Sequence, residues 1–153
     1  MEDNLFEQVL IDTLEQFTFQ FADVRDRPAI EEFSEEMFLV SRVSFASDKH
    51  RGFLQLCMPV PLGLEITVSV MGAMSEDEVT DELVVDAMKE CANIIAGSFT
   101  AARFGVEEVF TISHPEAHLC QPDALFALFD GCNDCAYLQV DDYILLGGYG
   151  LDV

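Results

Sequence analysis

Between Leu5 and Phe21 the apolar residues Leu5, Val9, Leu10, Leu14, Phe17 and Phe21 recur at steps of about three and four. That spacing gathers them into one stripe, so residues 2–22 are expected to form a long amphipathic helix. The pattern breaks from Val24 to Pro28, and Glu31, Glu32, Glu35 and Glu36 mark a solvated connection. Two β-rich runs follow, MFLVSRVSFA at 37–46 and GFLQLCMPV at 52–60; the polar SDKHR joins them, which predicts an antiparallel hairpin. In PLGLEITVSVMG, residues 61–72, Leu62, Leu64, Ile66, Val68 and Val70 alternate with Gly63, Glu65, Thr67 and Ser69. On its own, that period predicts a strand.

Ser75 with Glu78 three residues on has the spacing of a capping box, and the acids around it suit the positive end of a helix dipole. A second long helix is therefore expected from there to about Phe104, with Gly105 as its stop. From Glu107 onward the texture is β: EVFTIS, DALFALFD, CAYLQVDD and YILLGGYGL, divided by polar turns such as GCND. The expected fold is α+β over a single domain spanning residues 1–153, with two long helices packed on one face of a mostly antiparallel sheet.

Charge narrows the range of partners. With 29 acids against 7 bases the net charge is −22, and a surface so poor in Lys and Arg suits neither nucleic acid nor an anionic membrane. No run reaches the ~20 apolar residues of a membrane-spanning helix, and nothing in MEDNLFEQVL has the form of an export signal. Five scattered cysteines fit reduced thiols, so a cytoplasmic location is expected.

The candidate chemistry lies on the second helix, in DAMKECANIIAGSF, residues 86–99. Advancing about 100° per residue, Glu90, Asn93 and Gly97 fall within roughly 40° of Asp86, on a strip that also carries Glu82, Lys89 and Thr100. Val84, Met88, Cys91, Ile95, Phe99 and Ala102 form the opposite, apolar stripe. A polar strip on an amphipathic helix often does no more than meet water. Asn and Gly are poor helix formers, however, and Gly costs about 1 kcal/mol relative to Ala, so their joint placement on an exposed strip carries a penalty without a packing reason in the sequence. The three polar groups of Asp86, Glu90 and Asn93 are expected to project together into solvent.

Asp86-x-x-x-Glu90-x-x-Asn93, continuing through Ile94, Ile95 and Ala96 to Gly97, resembles the signature of the CheC/CheX/FliY chemotaxis phosphatases, and CheX most of all. The likeness extends to MG at 71–72 before the acidic helix entry, to SHP at 113–115 after a strand, and to the strand-rich last third. It covers about residues 37–150. The resemblance implies a helix at 61–72, against the alternation. Residues 2–22 contain no Glu-x-x-Asn, so a single active face is implied.

The same resemblance implies hydrolysis of the aspartyl phosphate on a CheY-type receiver. Asn93 would position the attacking water and Glu90 would dock to the receiver's lysine. Asp86 and Lys89 would be partner contacts, and Gly97 would allow close approach. Mg2+ would come from the receiver, and this chain would bind no cofactor. A homodimer is also implied, for which apolar edge strands such as YILLGGYG offer sheet extension. Net charge −22 facing an acidic phosphorylated pocket predicts activity that rises with moderate ionic strength. The alternative is a receiver-binding or interaction module of the same fold without catalysis.

Other groupings are weaker. Cys132-Asn-Asp-Cys135 is a lone C-x-x-C with His114, His118 and Cys120 upstream, short of normal zinc-finger spacing, and Asn133-Asp134 reads as a hairpin turn. His50 reads as a solvated turn residue, and Gly147 and Gly148 as a bend or bulge.

Overall fold

The β-branched and aromatic runs at the centre of the chain form the spine of the fold. Strands β2 (Phe38–Ala46) and β3 (Arg51–Pro59) pair antiparallel from Phe38↔Pro59 to Ala46↔Arg51, the hairpin expected from the two β-rich runs and the polar turn between them. The computed structural model describes residues 5–33, 37–72 and 75–152; residues 2–4 of the expected first helix and the acids Glu35 and Glu36 lie outside the described residues. Four further strands, β1 (Asp23–Val24), β4 (Thr111–Cys120), β5 (Asp134–Val140) and β6 (Tyr143–Asp152), complete an antiparallel sheet in the order β1-β5-β6-β3-β2-β4.

Helices α1 (Leu5–Thr18), α2 (Val60–Met71) and α3 (Asp81–Phe104) cover one face, and the short α4 (Leu125–Phe129) covers the other. Alternation along each strand divides the core accordingly. Leu39, Val43, Leu54, Leu56, Leu138 and Leu145 point to the three helices; Phe38, Val40, Cys57, Ile144 and Leu146 point to α4. Each fully buried Leu or Phe contributes about 1.5–3 kcal/mol, so the larger helix-side cluster carries most of the hydrophobic stabilisation.

Several elements depart from their sequence signals. α1 ends at Thr18, because Phe19 takes φ +59°, a left-handed conformation incompatible with further helix; Phe17 and Phe21 are exposed while Phe6 and Thr13 are buried in their place. Residues 60–71 are helix and not strand. Leu62 and Ile66, four apart, are buried, and Thr67 donates its hydroxyl to the Gly63 carbonyl at 2.6 Å. Gly72, at φ +72°, closes α2.

The segment expected as strand DALFALFD is a 3₁₀ turn at Pro122–Ala124 followed by α4, with Leu125 and Phe129 buried one turn apart. EVFTIS enters its strand late: β4 begins only at Thr111, and SHP lies inside it at a bulge where His114 has φ +55°. Gly147 and Gly148 stand in regular β6 pairing with Leu56 and Gln55, so no bend explains them. They are glycine because side chains from α1 and from the α4 turn lie on top of them: an added Cβ would lie 2.8 Å from Leu10 Cδ1 at position 147 and 2.7 Å from Cys132 Sγ at position 148. β6 is also central, not an edge, so YILLGGYG cannot extend the sheet; the edges are β1 and β4.

Candidate functional site

α3 is the 24-residue helix that places the candidate residues. The expected box at Ser75 and Glu78 forms only a 3₁₀ turn, Glu76–Glu78, with no side-chain cap bond from Ser75. Thr80 caps α3 instead, its Oγ1 accepting from the Leu83 N–H at 3.2 Å; Asp81 and Glu82 sit in the positively polarised first turn. At the other end the Gly105 N–H donates to Ala101 O at 3.0 Å.

Val84, Met88, Cys91, Ile95 and Phe99 are buried against the sheet and the neighbouring helices, together with Ala87, Ala92 and Ala96. Ala102, assigned to this stripe by its spacing, is exposed. Phe99 anchors the stripe, its ring meeting Phe6 at 5.4 Å, Phe45 at 6.3 Å and Tyr149 at 4.5 Å. Burial, and then the charge of Glu90, hold the Cys91 thiol up at about 12, which keeps it neutral and unreactive.

On the outer strip Asp86 and Glu90 are exposed, and neither makes an ion pair or a side-chain hydrogen bond among the described residues. Asn93 differs from the expectation of full projection. Its side chain is half-buried, and its Oδ1 is enclosed without a hydrogen-bond partner among the described residues. Such an orphan costs roughly 1–3 kcal/mol relative to a paired oxygen. α3 is helical without a break between Glu90 and Asn93. Lys89 is half-buried beside them. Thr100 leaves the strip altogether: it is buried, its hydroxyl shared between Ala96 O at 2.9 Å and Gly97 O at 3.2 Å. At Gly97 an added Cβ would meet only Ile112 Cδ1, at 3.7 Å, which is ordinary contact.

Beside Gly97 a shallow groove runs between the end of α3 and the approach to β4, lined in part by Ala101, Val109, Phe110 and Ile112. Taking EVFTIS as strand hides this groove. The exposure of Val106 (83%) and Val109 (82%) is what marks it. His50 is no free turn residue either: its Nδ1 lies 2.7 Å from Glu108 Oε2, its ring stacks on Phe104 at 4.4 Å, and Ser47 donates to the same carboxylate. The Ser47 and His50 hydrogen bonds hold the Glu108 carboxyl below its ordinary range. In this arrangement the carboxylate separates serine from imidazole, so His50 cannot take a proton from Ser47 as a general base would. Among the described residues no three His, Cys, Asp or Glu side chains are grouped to hold a metal.

This geometry can be set beside known proteins. The family described as chemotaxis phosphatase CheX matches residues 39–121, more than half of the chain, running from Leu39 in β2 through α3 to just past β4. The chain belongs to the CheX family. Crystal structures with the same fold include CheX from Vibrio vulnificus, 13% identical with a TM-score of 0.74 over 97% of this chain and 95% of that one. CheX from Desulfovibrio desulfuricans is 12% identical with a TM-score of 0.70, covering 99% and 100%. CheX in the CheX–CheY–BeF3–Mg2+ complex from Borrelia burgdorferi is 17% identical with a TM-score of 0.65, covering 98% and 97%. No curated protein sequence matches. Within the CheX match lies every residue of the candidate strip, Asp86 to Gly97. No helix among the described residues is long and apolar enough to cross a membrane.

Proposed function

We propose that the chain hydrolyses the aspartyl phosphate of a CheY-type receiver in the cytoplasm, laying the outer strip of α3 into the phosphorylated pocket. One observation carries this: Glu90 stands free on the surface, and one turn along the same strip Asn93 keeps an amide oxygen with no partner among the described residues. An acyl phosphate is already reactive, so the chemistry needs an in-line water and neutralised phosphoryl oxygens, with little further covalent work. An amide suits the first task. Its oxygen accepts from the water and its NH2 donates, without the negative charge that would repel the phosphoryl group. Because Asn93 Oδ1 has no described hydrogen bond, docking can draw the side chain outward without breaking one.

Glu90, about 4.5 Å along the axis from Asn93, would pair with the receiver's lysine and fix the register. Asp86 and Lys89 would add contacts farther along, and the bare backbone at Gly97 would let the partner approach closely. Mg2+ held by the receiver would neutralise phosphoryl oxygens; the residues of this strip are not assigned as its ligands.

A second proposal, a receiver-binding module without hydrolysis, is favoured by the enclosure of Asn93 Oδ1, which keeps water from it in the unbound state. One experiment separates the two. A receiver charged with its phosphate in Mg2+ is mixed with the protein and phosphate release is followed. Release well above that of the receiver alone, reduced about tenfold by Glu90→Ala, is expected. Binding without faster release would leave the module; neither binding nor release would remove both.

A further inference from the structure

The face of the sheet away from α3 holds chemistry that the phosphatase proposal does not use. Strand pairing sets Glu116, Arg42, Gln55, Gly148 and Cys135 side by side across β4, β2, β3, β6 and β5, a row beside the apolar cluster packed on α4. Gly148 leaves the gap in that row. Cys132, in the turn after α4, drops its sulfur into it, 2.7 Å from where a Cβ on Gly148 would stand, and Cys135 is the lateral neighbour of the same glycine. Both residues are half-buried free thiols, within reach of small solutes. Gln55 Nε2, buried and anchored on Leu128 O at 2.9 Å, reaches Cys132 Sγ at 3.9 Å.

We propose that Cys132 and Cys135 form a redox-active dithiol, which a peroxide closes to an intramolecular disulfide. The inference is independent of the function assigned to α3. Cys135 is the attacking group. The neighbouring Cys132, with further help from Tyr137 and the charge of Arg27, holds its thiol down at about 7 against the opposing effects of burial and Asp134. Cys132 is pushed up and stays protonated. The remaining thiols behave differently: burial raises Cys57, Cys91 and Cys120 alike.

In the reaction the Cys135 thiolate attacks one oxygen of hydrogen peroxide; the S–O bond forms, the O–O bond breaks, and the departing hydroxide takes a proton to become water. Cys132 sulfur then displaces hydroxide from the sulfenic acid, the S–S bond forms, and the Cys132 proton leaves with that hydroxide as a second water. Two electrons pass from the sulfurs to the peroxide.

The test uses the full reduced chain. At pH 7, iodoacetamide should label Cys135 about fivefold or more faster than Cys120, allowing for the lower nucleophilicity of a more acidic thiol. Stoichiometric hydrogen peroxide should remove two thiols and lower the mass by two hydrogens. Peptide mapping should then find 132 joined to 135, and dithiothreitol should reverse it. Cys132→Ser should stop at a dimedone-reactive sulfenic acid on Cys135. Equal labelling of Cys120 and Cys135, or oxidation without the 132–135 link in a chain whose circular dichroism remains native, would overturn the proposal.

Discussion

On α2, Gly63 is buried, and a methyl group there would overlap Leu39 Cδ1; on α3 the same addition at Gly97 would meet only Ile112, at ordinary contact distance. The two helices pack on each other and on one sheet, yet one glycine answers to the interior and the other does not. Gly63 lets α2 lie against β2. Gly97 keeps the outer strip of α3 low, and no packing among the described residues requires it. The same contrast separates two polar groups. Thr67 on α2 is buried and bonded to the Gly63 carbonyl, whereas Asn93 on α3 has an enclosed oxygen left unpaired among the described residues. A local penalty that folding does not explain points to binding.

Asn93→Ala tests the contrast most severely. Phosphate release from a charged receiver should fall about 100-fold, equivalent to ~2.7 kcal/mol, while the denaturation midpoint holds or rises slightly because an unpaired oxygen is removed. A marked loss of stability with release intact would make Asn93 a packing residue. Next in size, Gly63→Val should cost about 2 kcal/mol by forcing Leu39 from its place, read as a lower urea midpoint, with release per folded molecule unchanged. Gly97→Ala should move stability the other way, up by about 0.5–1 kcal/mol through helix propensity, with a modest fall in release. If Gly97→Ala destabilises the fold, the two glycines are alike and the contrast is lost.

The smallest effect concerns α2 again. Burial, and then the charges of Asp141 and Glu76, raise the Glu65 carboxyl above its ordinary range, and its Oε2 is enclosed without a partner among the described residues. An acid whose folded pKa exceeds its unfolded value weakens the fold above the folded pKa, and that deficit closes as pH falls toward the unfolded value near about 4.3. Glu65→Gln should therefore melt slightly higher than the parent at pH 7, with the difference shrinking as pH drops to about 4.

Legibility in the sequence followed how local each signal was. α3 announces itself because it has one wet and one dry side, so the period survives, and only Thr100 and Ala102 of its assigned positions exchange sides; the β2–β3 hairpin, buried on both faces over much of its length, shows instead as two β-rich runs around a polar turn. α2 misleads because it is packed on more than one side. Small Gly63 and Thr67 take the tightest contacts while Leu64, Val68 and Val70 are half-buried elsewhere, so the helical period fades and a false alternation remains. α4 is too short for any period to show, with only Leu125 and Phe129 to mark it. The rank of β6 in the sheet depends on pairing with β3, ninety or so residues away in sequence, which no local pattern encodes. In the candidate site, the spacing from Asp86 to Gly97 was legible as a strip; the partial burial of Asn93 was not, because neighbours remote in sequence decide it.

The irregularity at His114 and Pro115 sets a limit on how the free margin of the sheet can be used. Residues 111–113 keep step with Ala46 to Ser44, and residues 116–120 with Arg42 to Phe38, but two residues oppose Val43 between them. The extra residue lets Ile112 and Ala117 both turn toward the helices. It also divides the outward row of amides and carbonyls into two short runs out of phase, interrupted by a proline that has no hydrogen to donate. A straight strand from another molecule could zip to either run but not continuously to both, which works against open-ended fibre growth along that margin.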